Sequence, residues 1–223
     1  SEASPAVPVN VQVLDGFQVK QRKGKATSGA IEQIFHDAGG RLLILGDPGT
    51  GKTNLLIELA PSLIAAAQND VDYPIPILFS LARWTLGEKT RSLAEWMKDD
   101  LREIYDLTSA DAQALIASDE IIPLLDGLDE VDEAKRSQCL EAINEYQQSR
   151  SRGCFAVCCR WEEYAWLLRN GHSESDSRIS ARVAIRVERL SRADVDREIG
   201  RPQLDHVRRA LEADPVLRDF VDT

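Results

Sequence analysis

The sequence predicts an α/β chain built around a parallel sheet covered on both faces. Three observations carry that expectation. Five short, nearly continuous apolar runs punctuate the chain, amphipathic helical patterns lie between them, and a glycine-rich loop joins the first run to a helix. Strands apolar at almost every position are buried on both sides, as in a parallel sheet held between helical layers.

The elements follow in order. Residues 1–28 are mixed and read as an N-terminal extension or linker. Pro5 and Pro8 open an extended stretch there, and Val9, Val11 and Val13 alternate as in a short strand. Arg41-Leu42-Leu43-Ile44-Leu45, bounded by glycines, is the first buried strand. Apolar residues at Leu55, Leu56, Leu59, Leu63, Ile64 and Ala67 then keep helical spacing. Pro61 inside that pattern lacks an N–H and is expected to kink or split the helix. Ile75 to Leu81 is the second strand, with Pro76 near its start, where proline is tolerated.

Ser92-Leu93-Ala94-Glu95 has the spacing of a capping box, and Leu93, Trp96, Met97, Leu101 and Ile104 share one face of the helix it opens. A shorter helix is expected from about Ala110 to Ala117. Ile121 to Leu125 is the third strand, and Ala134 to Ser149 a helix with Leu140 and Ile143 inward. Cys154 to Cys158 is the fourth strand, Trp161 to Leu168 a helix, and Val183 to Val187 the fifth strand. Trp161, Trp166 and Leu168 suit helix core better than a stacking platform. Ser191–Ile199 and Gln203–Ala213 are expected as two short helices outside the sheet. The chain is thus divided into residues 1–28, a sheet domain over 29–190, and the start of a helical domain over 191–223. It begins without Met and ends in mid-pattern at Val221-Asp222-Thr223, as a piece of a longer protein would.

Composition bounds the function. With 223 residues, 43% hydrophobic and 29% charged, the chain suits one domain with a small appendage. A chain of this length buries roughly 70–75% of its unfolded surface, so it needs no disulfide or metal staple. Its longest apolar segment, Leu55 to Ala67, is broken by Glu58 and Pro61, which excludes a helical membrane span. A net charge of −10 argues against a general nucleic-acid binder. Lys20-Gln21-Arg22-Lys23-Gly24-Lys25 is either a local basic patch or a solvated loop. Cys139, Cys154, Cys158 and Cys159 form no CxxC pair, and the three histidines lack zinc spacing. Reduced, buried thiols point to a reducing compartment, the cytoplasm.

Gly46-Asp47-Pro48-Gly49-Thr50-Gly51-Lys52-Thr53 fits G-x-x-x-x-G-K-[ST] in full. Glycines let such a loop curl so that successive backbone N–H groups surround an anionic phosphate. The helix that follows, with Asn54 in its first turn, adds free N–H groups and its positive dipole end. Lys52 is placed to reach the β- and γ-phosphates as a point charge, and the Thr53 hydroxyl to ligate Mg²⁺. At average composition a chain of this length carries such a match by chance roughly once in a hundred. The strand–loop–helix context makes it more specific still.

The third strand runs into acids at Asp126-Gly127-Leu128-Asp129-Glu130. Ligands of parallel sheets bind at the carboxyl ends of the strands, so Asp126 is a candidate to hold Mg²⁺. Asp129 and Glu130 either polarise an attacking water or simply favour the dipole of the next helix. Arg160, at the end of the fourth strand, either contacts a γ-phosphate or caps the strand. Ser80, Arg83 and Trp84 end the second strand, where Arg83 either senses phosphate too or, as is expected, has a structural role.

With these strand ends in place the chain resembles a NACHT domain, a module of the signal-transduction ATPases with numerous domains within the P-loop NTPases. The resemblance rests on Gly40 through Thr53 and on Leu124-Leu125-Asp126-Gly127-Leu128-Asp129-Glu130-Val131, and covers about residues 30–213. It implies a three-layer α/β/α fold with a five-stranded parallel sheet in order 5-1-4-3-2. It implies an ATP–Mg²⁺ site, slow hydrolysis, and switching between a closed ADP state and an oligomerising ATP state in signalling or defence. Under it Lys52 and Thr53 take phosphate and metal roles, Asp126 binds metal, Asp129 and Glu130 are the catalytic acids, and Arg160 is the sensor. The family often has small hydroxyl residues before that Arg, where Cys158 and Cys159 stand here. The implied partners are an adenine nucleotide, downstream winged-helix and sensor domains, and further copies of the chain on activation.

Two alternatives stay open. One is a module that binds nucleotide without significant hydrolysis, as a switch or scaffold. The other is a small-molecule kinase, although Arg150 and Arg152 make a thin lid. A GTPase is disfavoured, because no [NT]KxD is present.

Overall fold

The structure, a computed structural model, describes residues 9–14, 23–26, 30–85, 91–170, 178–200 and 204–214. Pro5, Pro8, Lys20, Gln21, Arg22, Gln203 and Val221-Asp222-Thr223 lie outside the described residues. Among the described residues no helix is long and apolar enough to cross a membrane.

Seven strands form one sheet. They are β1 (Val9–Leu14), β2 (Lys23–Ala26), β3 (Arg41–Gly46), β4 (Ile75–Ser80), β5 (Ile121–Asp126), β6 (Phe155–Arg160) and β7 (Val183–Glu188). Their order is β2-β1-β7-β3-β6-β5-β4. The five strands from β7 to β4 are parallel, and in chain order of the parallel strands they read 5-1-4-3-2, as the resemblance implies. The sheet continues beyond them into the N-terminal segment. There β1 pairs antiparallel with β7, matching Val11 with Val187, and β2 pairs antiparallel with β1.

Alternation along the strands sorts the core into two layers. Leu42, Ile44, Ala156, Cys158, Ile185 and Val187 face α1 (Ala30–Asp37) and α2 (Lys52–Asn69), with Phe35, Leu55, Leu56, Leu59 and Leu63 from the helices. Leu43, Leu45, Val157, Cys159 and Ala184 face the other layer. It consists of α3 (Leu93–Ile104), α4 (Ser109–Ala117), α5 (Glu133–Gln148) and α6 (Trp161–Asn170). Trp161, Trp166 and Leu168 pack against this second core layer, as expected of helix core. Beyond β7 lie α7 (Arg192–Ile199) and α8 (Asp205–Ala213).

Local chemistry explains the boundaries. Ser92 caps α3 by accepting from the Glu95 N–H, and the Glu95 carboxylate accepts from the Ser92 N–H in return. Pro76 is tolerated because β4 is an edge strand. Pro123 sits in an inner strand, and the β5–β6 ladder is confined to Leu124 and Leu125 just after it. A residue without an N–H has nothing to donate to that ladder.

Two local expectations are corrected. Of the kink or split expected at Pro61, the split does not occur, since α2 runs unbroken from Lys52 to Asn69, with Leu59 and Leu63 buried on either side of it. Ile104 is not part of the buried face of α3 but 52% exposed. The buried place one turn earlier on that stripe is taken by Asp100, whose carboxylate is held by Arg83 at 2.7 Å. Arg83 also reaches Glu103 at 3.0 Å, so its role is structural.

Candidate functional site

The loop after β3 is shaped by its glycines. A Cβ on Gly46 would stand 2.6 Å from Thr50 Oγ1 and 2.9 Å from the Val187 carbonyl, so the strand end has room only for glycine. Gly49 and Gly51 take φ of +75° and +89°, which lets the chain turn through the left-handed region and enter α2 at Lys52. Thr50 closes the turn through its N–H and its hydroxyl, both donating to the Asp47 carbonyl. Pro48 and Gly49 are exposed at the tip, and Asn54 is exposed in the first turn of α2. No side chain caps that helix, so its first N–H groups keep their capacity for an anion.

Lys52 folds back on its own loop. Its Nζ donates to the Gly46 carbonyl at 3.1 Å and to the Asp47 carbonyl at 2.9 Å. Beneath it the Cys158 thiol points at the Lys52 carbonyl, with 3.5 Å between Sγ and O. Burial, with the nearby Asp126 charge, keeps that thiol protonated well above the ordinary thiol range. It acts as packing under the loop and not as a nucleophile.

Sheet parity brings the two expected metal-site residues together. Asp126 ends β5 on the α2 side, and Thr53 Oγ1 donates to its Oδ2 at 2.8 Å, across 73 residues of sequence. A hydroxyl and one carboxylate are hard oxygen donors. They suit Mg²⁺, which keeps several waters and takes its remaining ligands from phosphate oxygens. Among the described residues no cluster of three or more His, Cys, Asp or Glu could build an all-protein metal cage.

The acids beyond β5 part company. Gly127, with φ +80°, turns the chain into a short 3₁₀ segment over Leu128–Glu130. A Cβ there would lie 2.9 Å from the Glu130 carboxylate, which folds back over this turn. Glu130 is exposed. Asp129 points inward, with a side chain 6% exposed, and is taken up by Arg160. Its Oδ1 accepts the Arg160 backbone N–H at 2.9 Å, and its Oδ2 stands 2.8 Å from Arg160 Nε.

Three contributors escaped sequence reasoning. Arg136 of α5 donates to the Asp129 and Val131 carbonyls at 2.9 and 3.2 Å and so braces the acidic turn. Arg186 and Arg189 approach Asp47 at 3.8 and 3.9 Å. A signal for Arg186 was present, since it is the one charge inside the run Val183–Val187.

A strand, a glycine turn and a helix N-terminus thus form an anion cradle, with a hydroxyl–carboxylate pair and an arginine at neighbouring strand ends. The family model for the NACHT domain matches residues 41–164, more than half of the chain, and spans the cradle, Asp126 and Arg160. No curated protein matches the chain. The chain therefore belongs to the NACHT domain family, and so to the nucleotide-binding P-loop NTPases whose parallel sheet it shares.

Proposed function

We propose that this module binds ATP and ADP with Mg²⁺, hydrolyses ATP slowly, and uses the difference between the two nucleotides to switch conformation and self-association in signalling or defence. The observation that carries this is the pairing of Thr53 with Asp126 at the mouth of the glycine loop. It joins a metal-binding oxygen pair to a phosphate cradle, which is what a nucleoside polyphosphate with its cation requires.

The residues divide the work. Backbone N–H groups from Gly46 to Asn54 surround the β-phosphate. Lys52, now on two loop carbonyls, turns to the phosphate oxygens when they arrive. Thr53 and Asp126 would hold Mg²⁺, which would neutralise phosphate charge when bound. Glu130 is the exposed carboxylate of the acidic turn and orients water. Asp129 acts with it through Arg160, which it holds until a γ-phosphate competes for the guanidinium. Reporting on that phosphate is the switch function the resemblance assigns to Arg160. Winged-helix and sensor domains are the partners the same resemblance implies. Four free cysteines suit a reducing, cytoplasmic setting.

Calorimetric titration of ATP, ADP and GTP with Mg²⁺ tests this. Tight adenine-nucleotide binding with little turnover is expected. Lys52→Ala should weaken binding by about 1.5–3 kcal/mol, the worth of a charge-assisted hydrogen bond. Unchanged affinity in that variant would sink the phosphate-loop assignment. A preference for GTP, or fast turnover without a partner, would sink the ATP switch.

A further inference from the structure

A phosphate loop with an acid in its second position sets a carboxylate beside a site built for a polyanion. Asp47 is that acid. Its backbone carbonyl serves the loop by accepting from Thr50 and Lys52, but its side chain makes neither contact. The carboxylate instead stands between two guanidiniums, with Oδ1 3.8 Å from Arg186 Nη2 and Oδ2 3.9 Å from Arg189 Nε. Both distances exceed hydrogen-bond length, so the contacts add charge without fixing geometry.

The placement of Arg186 is built into the fold. It lies in β7 opposite Leu45, one residue short of the loop that starts at Gly46. Parity turns its side chain to the α6 face, away from Ile185 and Val187. There its guanidinium lies 4.8 Å from the ring centroid of Trp161, the first residue of α6. A flat guanidinium stacks on such a ring and keeps its charge. Arg186 is the charge among the apolar residues Val183–Val187, its side chain is 35% exposed, and it is held beside the one acid of the loop.

We propose that Arg186 and Arg189 are positioning counter-charges to Asp47. They offset its field so that the loop accepts a polyphosphate, and they favour the more highly charged triphosphate. This rests on the nucleotide-binding function proposed above. Coulomb interaction between two charges falls only as the inverse of distance, so an uncompensated carboxylate in the loop acts on every phosphate charge bound there. The net charge of −10 leaves no general positive field to mask it.

The test is a set of Mg²⁺-nucleotide titrations on the full chain. Replacing both arginines, as R186Q with R189Q, should weaken ATP binding about tenfold, and ADP binding less. Adding D47N to that pair should restore ATP affinity to within about twofold of the unaltered chain. D47N alone should bind ATP more tightly than the unaltered chain. That arm holds even where the double arginine variant folds poorly, because Asn keeps the carbonyl that Thr50 and Lys52 use. A triple variant as weak as the double would overturn the proposal, since the arginines would then act on the ligand directly. So would D47N binding no tighter than the unaltered chain. Binding that Lys52→Ala weakens and the arginine pair leaves untouched refutes this inference alone. No nucleotide binding by the unaltered chain refutes the function it rests on, and this inference with it.

Discussion

Replacing Arg160 by Gln removes a guanidinium from a carboxylate that has little other solvation. The Asp129 side chain is 6% exposed and Arg160 is 44% exposed, with 2.8 Å between Nε and Oδ2. Breaking a fully buried pair costs about 3–5 kcal/mol, and a fully exposed pair is worth about 0–1. This pair is buried on one side only, and Asp129 keeps the Arg160 backbone N–H at 2.9 Å. The expected loss is therefore about 1–2 kcal/mol, measured by urea unfolding without nucleotide. A double-mutant cycle with Asp129→Asn should give a coupling of about 1 kcal/mol. The same cycle with a saturating non-hydrolysable ATP analogue should give less, because the γ-phosphate then competes for Arg160. A coupling within about 0.3 kcal/mol of zero without nucleotide would refute the pair as an energetic unit. Equal coupling with the analogue and with ADP would refute Arg160 as the phosphate sensor.

Two further outcomes follow from buried groups away from the nucleotide. Asn144 is buried, donates to the Arg178 carbonyl at 2.7 Å and accepts the Ser180 N–H at 2.9 Å, which pins the approach to β7. Asn144→Leu removes both hydrogen bonds and should cost about 1–3 kcal/mol in urea unfolding; a loss within error of zero would mean that water replaces the amide. Alkali should destabilise the fold, because burial pushes the Cys139 thiol and the Tyr146 and Tyr164 hydroxyls up to about 12. From about pH 9 upward the unfolded chain sheds these protons and the folded chain keeps them. The stability they provide is full below about pH 9 and drains away as pH rises toward about 12. A urea midpoint that holds steady through that window would contradict their burial.

Much of the fold was legible because its causes are local. The capping box at Ser92 and Glu95, the apolar runs of β3, β5 and β6, and the glycine spacing of the phosphate loop each act within a few residues. Failures came where distant packing outweighed local preference. Proline has an intrinsic cost in a helix, yet α2 runs through Pro61 with Leu55, Leu56, Leu59 and Leu63 anchored on the sheet. Ile104 fits the apolar face by spacing, but that stripe buries the neutralised Asp100 instead. The alternating valines of 9–13 announce a strand, and nothing in them announces β7 as its partner.

By itself the sequence determined the five parallel strands, most of the helices and a glycine loop of phosphate-binding spacing, because periodicity and glycine placement bias the backbone where they occur. Lys23–Ala26, read as part of a basic patch or a solvated loop, is instead strand β2, which only its pairing with β1 decides. Only the tertiary structure decided which charges meet. Thr53 finds Asp126, Asp129 closes on Arg160, and Asp47 lies between Arg186 and Arg189. Those encounters depend on strand order, register and the face to which each side chain points. A one-residue shift of β7 against β3 would turn Arg186 to the opposite face and leave Asp47 without it.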